Sequence, residues 1–338
     1  MSAISIPTVT VPATTANLGP GFDCIGAALS LYNRFQFSRL EPSATEKLKI
    51  TVTGQEAAKV KADDSNLAYQ AFVKLYDRLN QSPPPVAIHI DMQVPLARGL
   101  GSSATAIVGG LVGANELAGS PLTQVEVMQL AIELEGHPDN VVPALLGGCR
   151  LAASNTPPQL PLSKGGLTEE SPLTPPLSKG GQGGGSWQIC DIPWHPDIVP
   201  VVAIPDFELS TAEARRVLPS EYSRADAIFN TAHLGLLVRA LATGDRDWLR
   251  CALQDKIHQP YRQSLIQGYE AVQKAAMNAG ACGMVISGAG PTLLTLTDAT
   301  NADAVEKAMT AAWMEFGVKA DVRAIGLDTQ GAQVWNYL

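Results

Sequence analysis

A run of small residues, Pro95-Leu96-Ala97-Arg98-Gly99-Leu100-Gly101-Ser102-Ser103-Ala104, has the makings of an anion cradle. Gly99 and Gly101 carry no side chain, so the backbone there can approach a ligand closely and take positive φ. Ser102 and Ser103 stand where a helix N-cap belongs, ahead of a run of Ala, Ile, Val and Gly that reads as a buried helix. A strand over 86–90 precedes them. Strand, glycine loop and helix N-terminus together present free N–H groups and a partial positive charge, which suits a phosphate. The loop is not a Walker A motif, because Ser102 rather than Lys follows Gly101. Nor is it a Rossmann fingerprint, which needs Gly at the position of Ala104. Close packing of a helix is the plainer use of the same residues.

Other chemistry-bearing residues cluster at four more places. Glu133, Glu135, His137, Asp139 and Asn140 fall within eight positions, between two apolar segments. Asp139 and Asn140 are placed as helix caps, and a carboxylate beside a glycine loop is what a Mg-nucleotide site needs for its metal. The glycine-rich stretch 13–26 holds Asn17 and Asp23, which either cap their own turns or set an amide and a carboxylate beside a ligand. Thr211 and Arg215, four apart, share a helix face. Arg215 and Arg262 singly read as surface ion-pair residues; together they suit bidentate capture of a carboxylate. Finally, Ser287-Gly288-Ala289-Gly290-Pro291-Thr292 lies between two strands, as a hairpin or as a backbone kept low for a ligand.

The elements that must hold these residues follow from periodicity. Strands are expected near 9–12, 29–37, 48–52, 86–90, 198–204, 284–286, 293–296 and 320–324. Helices are expected over 66–79, after Ser103, from Thr123 (with Glu126 completing a capping box) to about 134, over 225–242, 248–257, 265–279 and 301–316, with a further one introduced by Leu209-Ser210-Thr211. Residues 156–186 repeat the phrase Pro-Leu-Ser-Lys-Gly-Gly and are poor in apolar side chains, so a disordered surface insertion without chemistry is expected there.

With 338 residues the chain is long enough for two cored domains. Its net charge of -8 speaks against nucleic acid, since no basic surplus is present to neutralise phosphates. No apolar run reaches the length of a membrane span, and the first residues lack a signal-peptide pattern. Five scattered cysteines without a CxxC pair favour neither zinc nor a disulfide framework, and point to thiols in a reducing cytoplasm.

Three segments match one pattern in order: Pro12-Ala13-Thr14-Thr15-Ala16-Asn17-Leu18-Gly19-Pro20-Gly21-Phe22-Asp23, Gly99-Leu100-Gly101-Ser102-Ser103-Ala104, and Ser287-Gly288-Ala289-Gly290-Pro291-Thr292. They resemble the three motifs of the GHMP small-molecule kinases, over nearly the whole chain apart from 156–186. The first motif, with Glu135-Gly136-His137-Pro138-Asp139-Asn140-Val141 and Thr211-Ala212-Glu213-Ala214-Arg215, is most similar to the members acting on homoserine. The Arg of sugar kinases and the Lys of mevalonate kinases are both missing between Val9 and Asp23.

The resemblance implies an α+β, two-domain GHMP kinase fold. Residues 1–155 would form the N-terminal nucleotide-binding domain and 187–338 a ferredoxin-like C-terminal domain, in a homodimer. The implied reaction is ATP-dependent phosphorylation of the side-chain hydroxyl of L-homoserine, giving O-phospho-L-homoserine for threonine synthesis. The nucleotide would be held by Pro95 to Ala104, Asn66, Gly288 and Gly290, and Mg²⁺ by Ser103 with Glu133, Glu135 being the competing choice. Arg215, Arg262 and Thr211 would take the substrate carboxylate, and Asp23 and Asp139 its ammonium. Asn17 and Asn140 would orient the hydroxyl, with His137 lining the pocket. Asp139 and Asn140 are thus the expected catalytic pair, with the role of Asp139 as a base left open.

Overall fold

The protein is described here by a computed structural model covering residues 6–41, 45–154 and 187–337. The low-complexity stretch 156–186 lies outside the described residues.

In chain order the strands are β1 (Ile6–Ala16), β2 (Ile25–Arg39), β3 (Leu48–Gly54), β4 (Val86–Met92), β5 (Cys149–Ser154), β6 (Trp187–Ile192), β7 (Val199–Pro205), β8 (Gly283–Ile286), β9 (Leu293–Thr297), β10 (Ala320–Ala324) and β11 (Gln333–Tyr337). The helices are α1 (Leu67–Arg78), α2 (Ser102–Leu117), α3 (Gln124–Glu135), α4 (Pro138–Leu146), α5 (Thr211–Arg216), α6 (Arg224–Thr243), α7 (Arg246–Ala252), α8 (Gln259–Arg262), α9 (Tyr269–Asn278) and α10 (Ala302–Glu315).

The first layer is a sheet in the order β11-β1-β2-β4-β3, with β5 and β6 continuing from β2. β4 alternates buried and half-buried side chains, as a sheet with one covered face requires. α1 buries Ala68, Ala71, Phe72 and Leu75, the i, i+3, i+4, i+7 stripe of an amphipathic helix. α2 packs on this sheet beside α1, whose Phe72 stacks on Phe37 of β2. A Cβ at Gly109 or Gly113 would stand 2.4 or 2.1 Å from the rings of Phe35 and Phe37, so the glycines in α2 let the helix press onto β2.

The second layer is wholly antiparallel, in the order β10-β7-β9-β8. With α9 before β8 and α10 between β9 and β10, this is the ferredoxin-like βαββαβ arrangement. Val201, Ile286, Val272, Met309 and Trp313 fill the core between sheet and helices.

Several expectations need correction. The loop expected over 13–26 is shorter, because β1 runs to Ala16 and β2 begins at Ile25. The helix expected over 248–257 stops at Ala252. The Asp255 carboxylate then accepts from the backbone N–H groups of Ile257, His258 and Gln259, which starts α8. The boundary at 187 does not follow sheet membership: β6 pairs with β5, and β11 returns to pair with β1 in the first sheet. No helix among the described residues is long and apolar enough to cross a membrane.

Candidate active site

Three glycine-rich loops are fastened together by backbone hydrogen bonds. Thr14 N–H donates to Leu100 O, Gly288 N–H to Ala16 O, and Thr292 N–H to Arg98 O. The Ser287 hydroxyl lies 2.6 Å from Gly99 O and 2.9 Å from Thr15 Oγ1. The loops therefore form one rigid floor. Gly101, not a serine, is the N-cap of α2, at φ 67° and without a side-chain cap. A Cβ there would sit 2.0 Å from Thr14 Oγ1, so a serine cap at this position is sterically excluded. The serines are displaced into the helix: Ser102 opens it, and Ser103 Oγ donates toward Glu135 at 2.8 Å.

Above this floor is a cavity of about 440 Å³. Among the residues picked out from the sequence, Ala97, Gly99, Gly101, Ser102 and Ser103 line it from the loop side, and Gly288 and Gly290 from the opposite loop. Asn17, Asp23, Glu135, His137, Asp139, Asn140, Thr211, Arg215 and Arg262 line it as well. Glu133 is exposed and does not line it. Positions 133 and 135 lie about 200° apart around a helix, so only one of them can face the loop.

A second cavity, about 260 Å³, meets the first at Ser102 and Ser103. Phe35, Ile90, Met92, Leu96 and Asn66 are among its walls. Asn66 spends its amide on the backbone: Oδ1 accepts from Ala68 and Tyr69, and Nδ2 donates to Lys61 O. Four residues of the expected phosphate loop face elsewhere. Leu100 and Ala104 are buried in the cores. Pro95 and Arg98 border a separate cleft. Arg98 donates to the carbonyls of Leu96, Pro205 and Asp206 and lies 3.6 Å from Glu56 and 3.3 Å from Glu208. Arg98 thus braces the loop against the second layer, and the positive character of the cradle is that of backbone N–H groups.

Around the first cavity, charged groups are arranged in pairs. Asp23 takes both terminal nitrogens of Arg215. His137 Nδ1 is 2.5 Å from Asp139 Oδ1. Burial opposes a charged imidazole here. The bond to Asp139 and the negative charges of Asp139, Glu135 and Asp23 outweigh that and push His137 up to about 9. Burial also raises the Glu135 carboxyl above its ordinary range, against the pull of His137 and Ser103. Burial and the charge of Arg215 draw Arg262 down to about 10. Asp23, His137 and Asp139 have donor atoms within 4.8 Å of one another, but Arg215 and His137 already engage the two carboxylates. With Arg215, this trio forms a charge-balanced cluster of two cations and two carboxylates. The expected caps Asp139 and Asn140 sit instead inside the first turn of α4, two and three residues past its N-cap His137. Thr14 Oγ1 donates to Asn140 Oδ1 at 2.7 Å and fixes that amide toward the cavity. Asn17, at φ 72°, donates to Gly288 O and accepts from Asp23 N–H, which fixes the Asp23 loop.

The sequence reading missed Phe22, His258, Asp255 and Asn230. Phe22 lies under both arginines, its ring centre 5.6 Å from Arg215 Cζ and 5.1 Å from Arg262 Cζ. Of the four, Asp255 had a readable signal, an acidic cap shortly before Pro260 in the first turn of a helix.

Comparison with known proteins agrees with this architecture. Residues 66–148 match the GHMP kinases N terminal domain and residues 237–314 the GHMP kinases C terminal domain. The chain is 64% identical over 332 residues to the homoserine kinase of Trichormus variabilis, covering 98% of this chain and all of that one. It is 53% identical over 329 residues to that of Thermosynechococcus vestitus, covering 97% of this chain and 99% of that one. The crystal structure of homoserine kinase from Cytophaga hutchinsonii superposes with a TM-score of 0.82 at 26% identity, covering 99% of this chain and 98% of that one. The protein belongs to the homoserine kinase family of the GHMP kinases.

Proposed function

We infer that this protein transfers the γ-phosphoryl group of ATP to the side-chain hydroxyl of L-homoserine, giving O-phospho-L-homoserine, a step of threonine biosynthesis. The observation that carries the reading is the meeting of two unlike cavities at Ser102 and Ser103. One is largely apolar and fits a nucleoside. The other carries both signs of charge and fits a zwitterionic amino acid. Phosphates bound at the junction would lie over the N-terminus of α2, where N–H groups and the helix dipole neutralise charge.

On the substrate side, Arg215, Arg262 and Thr211 receive the carboxylate, Asp23 the ammonium, and Asn17 and Asn140 orient the hydroxyl. Ser103 and Glu135 offer hard oxygen donors side by side at the head of α2, a set that fits Mg²⁺. When bound, the ion would neutralise charge developing on the phosphate oxygens. Because His137 holds Asp139 by a charge-assisted bond, Asp139 suits electrostatic orientation better than proton abstraction. Phosphoryl transfer through a loose transition state depends chiefly on such positioning. The setting proposed is cytoplasmic, and the assembly a homodimer.

The test is ADP release from Mg-ATP, run in parallel with L-homoserine, L-serine, L-threonine, mevalonate and galactose. Turnover confined to L-homoserine is expected. Turnover on mevalonate or galactose instead would discard the substrate assignment while keeping the ATP site.

A further inference from the structure

His258 is wholly buried and lies between the loop that carries Asn17 and Asp23 and the guanidinium of Arg262. Its Nε2 is 2.9 Å from Gly19 O. A carbonyl only accepts, so Nε2 carries the hydrogen, and Nδ1 is left with its lone pair. Arg262 Nη1 donates to that lone pair at 3.3 Å. Burial, reinforced by the charge of Arg262 against the pull of Asp255, lowers His258 to about 4, so the ring is neutral and this tautomer holds through the physiological range.

The remaining donors of Arg262 are also directed. Nε donates to Ala214 O and Nη1 also to Gly288 O, both at 3.1 Å. Nη2 is left for the cavity that Arg262 lines. The imidazole stacks on Phe22, ring centres 5.2 Å apart, and Phe22 in turn underlies Arg262. The backbone of His258 is held by Asp255, and Asn230 joins Asp255 to Pro20 O. Two parallel links, at Gly19 and Pro20, therefore tie the first-layer loop to the segment bearing Arg262.

We propose that His258 is a positioning residue for substrate recognition: a neutral two-sided hydrogen-bond link that aims the Arg262 guanidinium at the α-carboxylate and registers it on the loop of Asp23. It rests on the reading of Arg262 as a carboxylate ligand.

The test is a discrimination ratio, kcat/KM for L-homoserine over kcat/KM for 3-aminopropan-1-ol, which is homoserine without its carboxylate. Both substrates are assayed on one preparation, so partial unfolding cancels. His258→Asn keeps an acceptor near the Nδ1 position, whereas His258→Gln keeps a donor near Nε2 and offers Arg262 nothing. The expected result is a ratio within about threefold of wild type for His258→Asn, and a fall of roughly tenfold or more for His258→Gln, the loss of one hydrogen bond to a charged group. KM for ATP should stay unchanged in both. Equal ratios in the two variants would overturn the proposal, as would a fall in His258→Asn alone. Should His258→Gln fail to fold, His258→Phe, which keeps the stack on Phe22 but has no acceptor for Arg262, takes its place: a tenfold fall beside a retained ratio in His258→Asn supports the link, and a ratio within threefold of wild type contradicts it. A wild type without preference for L-homoserine removes the substrate reading and the proposal with it; a preference kept by both variants removes the proposal alone.

Discussion

Arg215 and Asp23 hold each other through two hydrogen bonds, Nη2–Oδ1 at 2.8 Å and Nη1–Oδ2 at 3.1 Å, across 192 residues of sequence. One partner lies on α5, the other on the loop between β1 and β2. Each offers the charge that one end of an α-amino acid requires. A zwitterion can therefore exchange into the pair and leave neither group unpaired, whereas a ligand with one charge strands the other.

Arg215→Ala should accordingly raise KM for L-homoserine by roughly 10- to 100-fold, the equivalent of one charge-assisted bidentate contact, with KM for ATP moved less than about threefold. Initial-rate kinetics with each substrate varied in turn check this. Equal effects on both KM values would contradict a role confined to the amino acid.

The metal donor is decided by a pair of substitutions. Glu135→Gln should lower kcat by roughly 100-fold or more and shift the Mg²⁺ dependence to higher concentration, whereas Glu133→Gln should leave both within about twofold. Magnesium titrations at saturating ATP provide the measurement. Sensitivity at 133 and not at 135 would place the ion elsewhere.

The cradle has a steric requirement that substitution can isolate. Gly99 stands at φ 74°, and a Cβ there would come 2.2 Å from Ser287 O. Gly119 has φ 86° with nothing within 4 Å of such a Cβ. Gly119→Ala should thus cost only the backbone penalty, about 1 kcal/mol, and leave turnover intact, while Gly99→Ala should cost clearly more and abolish turnover. Urea unfolding and ADP release read the two effects.

Acid should weaken the fold through His258. Its pKa falls from 6.5 in the unfolded chain to about 4 in the folded one. Between those values the unfolded state binds the extra proton, so stability drops as pH falls from 6.5 toward 4 and is fully present above 6.5. The contribution is on the order of 3 kcal/mol. In His258→Asn that component is absent, so the stability gap between wild type and variant should narrow across this window. A gap that stays constant with pH would show that His258 is not held neutral.

Much of the site was legible where chemistry is written locally. The loop Gly99–Ser103 announces itself by composition, and the capping box of Thr123 and Glu126 appears as read. What escaped was set by contacts between distant segments. Glu135 rather than Glu133 faces Ser103 because of the rotational phase of α3 at its last turn, which spacing alone leaves undetermined. Arg98 looks like a phosphate ligand in sequence, yet the carbonyls of Pro205 and Asp206, more than 100 residues away, claim its guanidinium. β11 escaped because an edge strand of five residues becomes visible only when β1 is there to pair with it. His258 escaped because its partner Gly19 lies far away in the chain, and its four-residue spacing from Arg262 gains meaning only once that distant carbonyl fixes the ring.

The most direct test follows the phosphorus. Wild-type protein is incubated with Mg-ATP and L-homoserine, and the product is read by ³¹P NMR with coupling to protons. A phosphomonoester split by the side-chain CH₂ is the predicted result, since in the proposed function Arg215 and Arg262 would hold the carboxylate away from the γ-phosphate. An acyl phosphate, or inorganic phosphate alone, would contradict the orientation on which the whole reading depends.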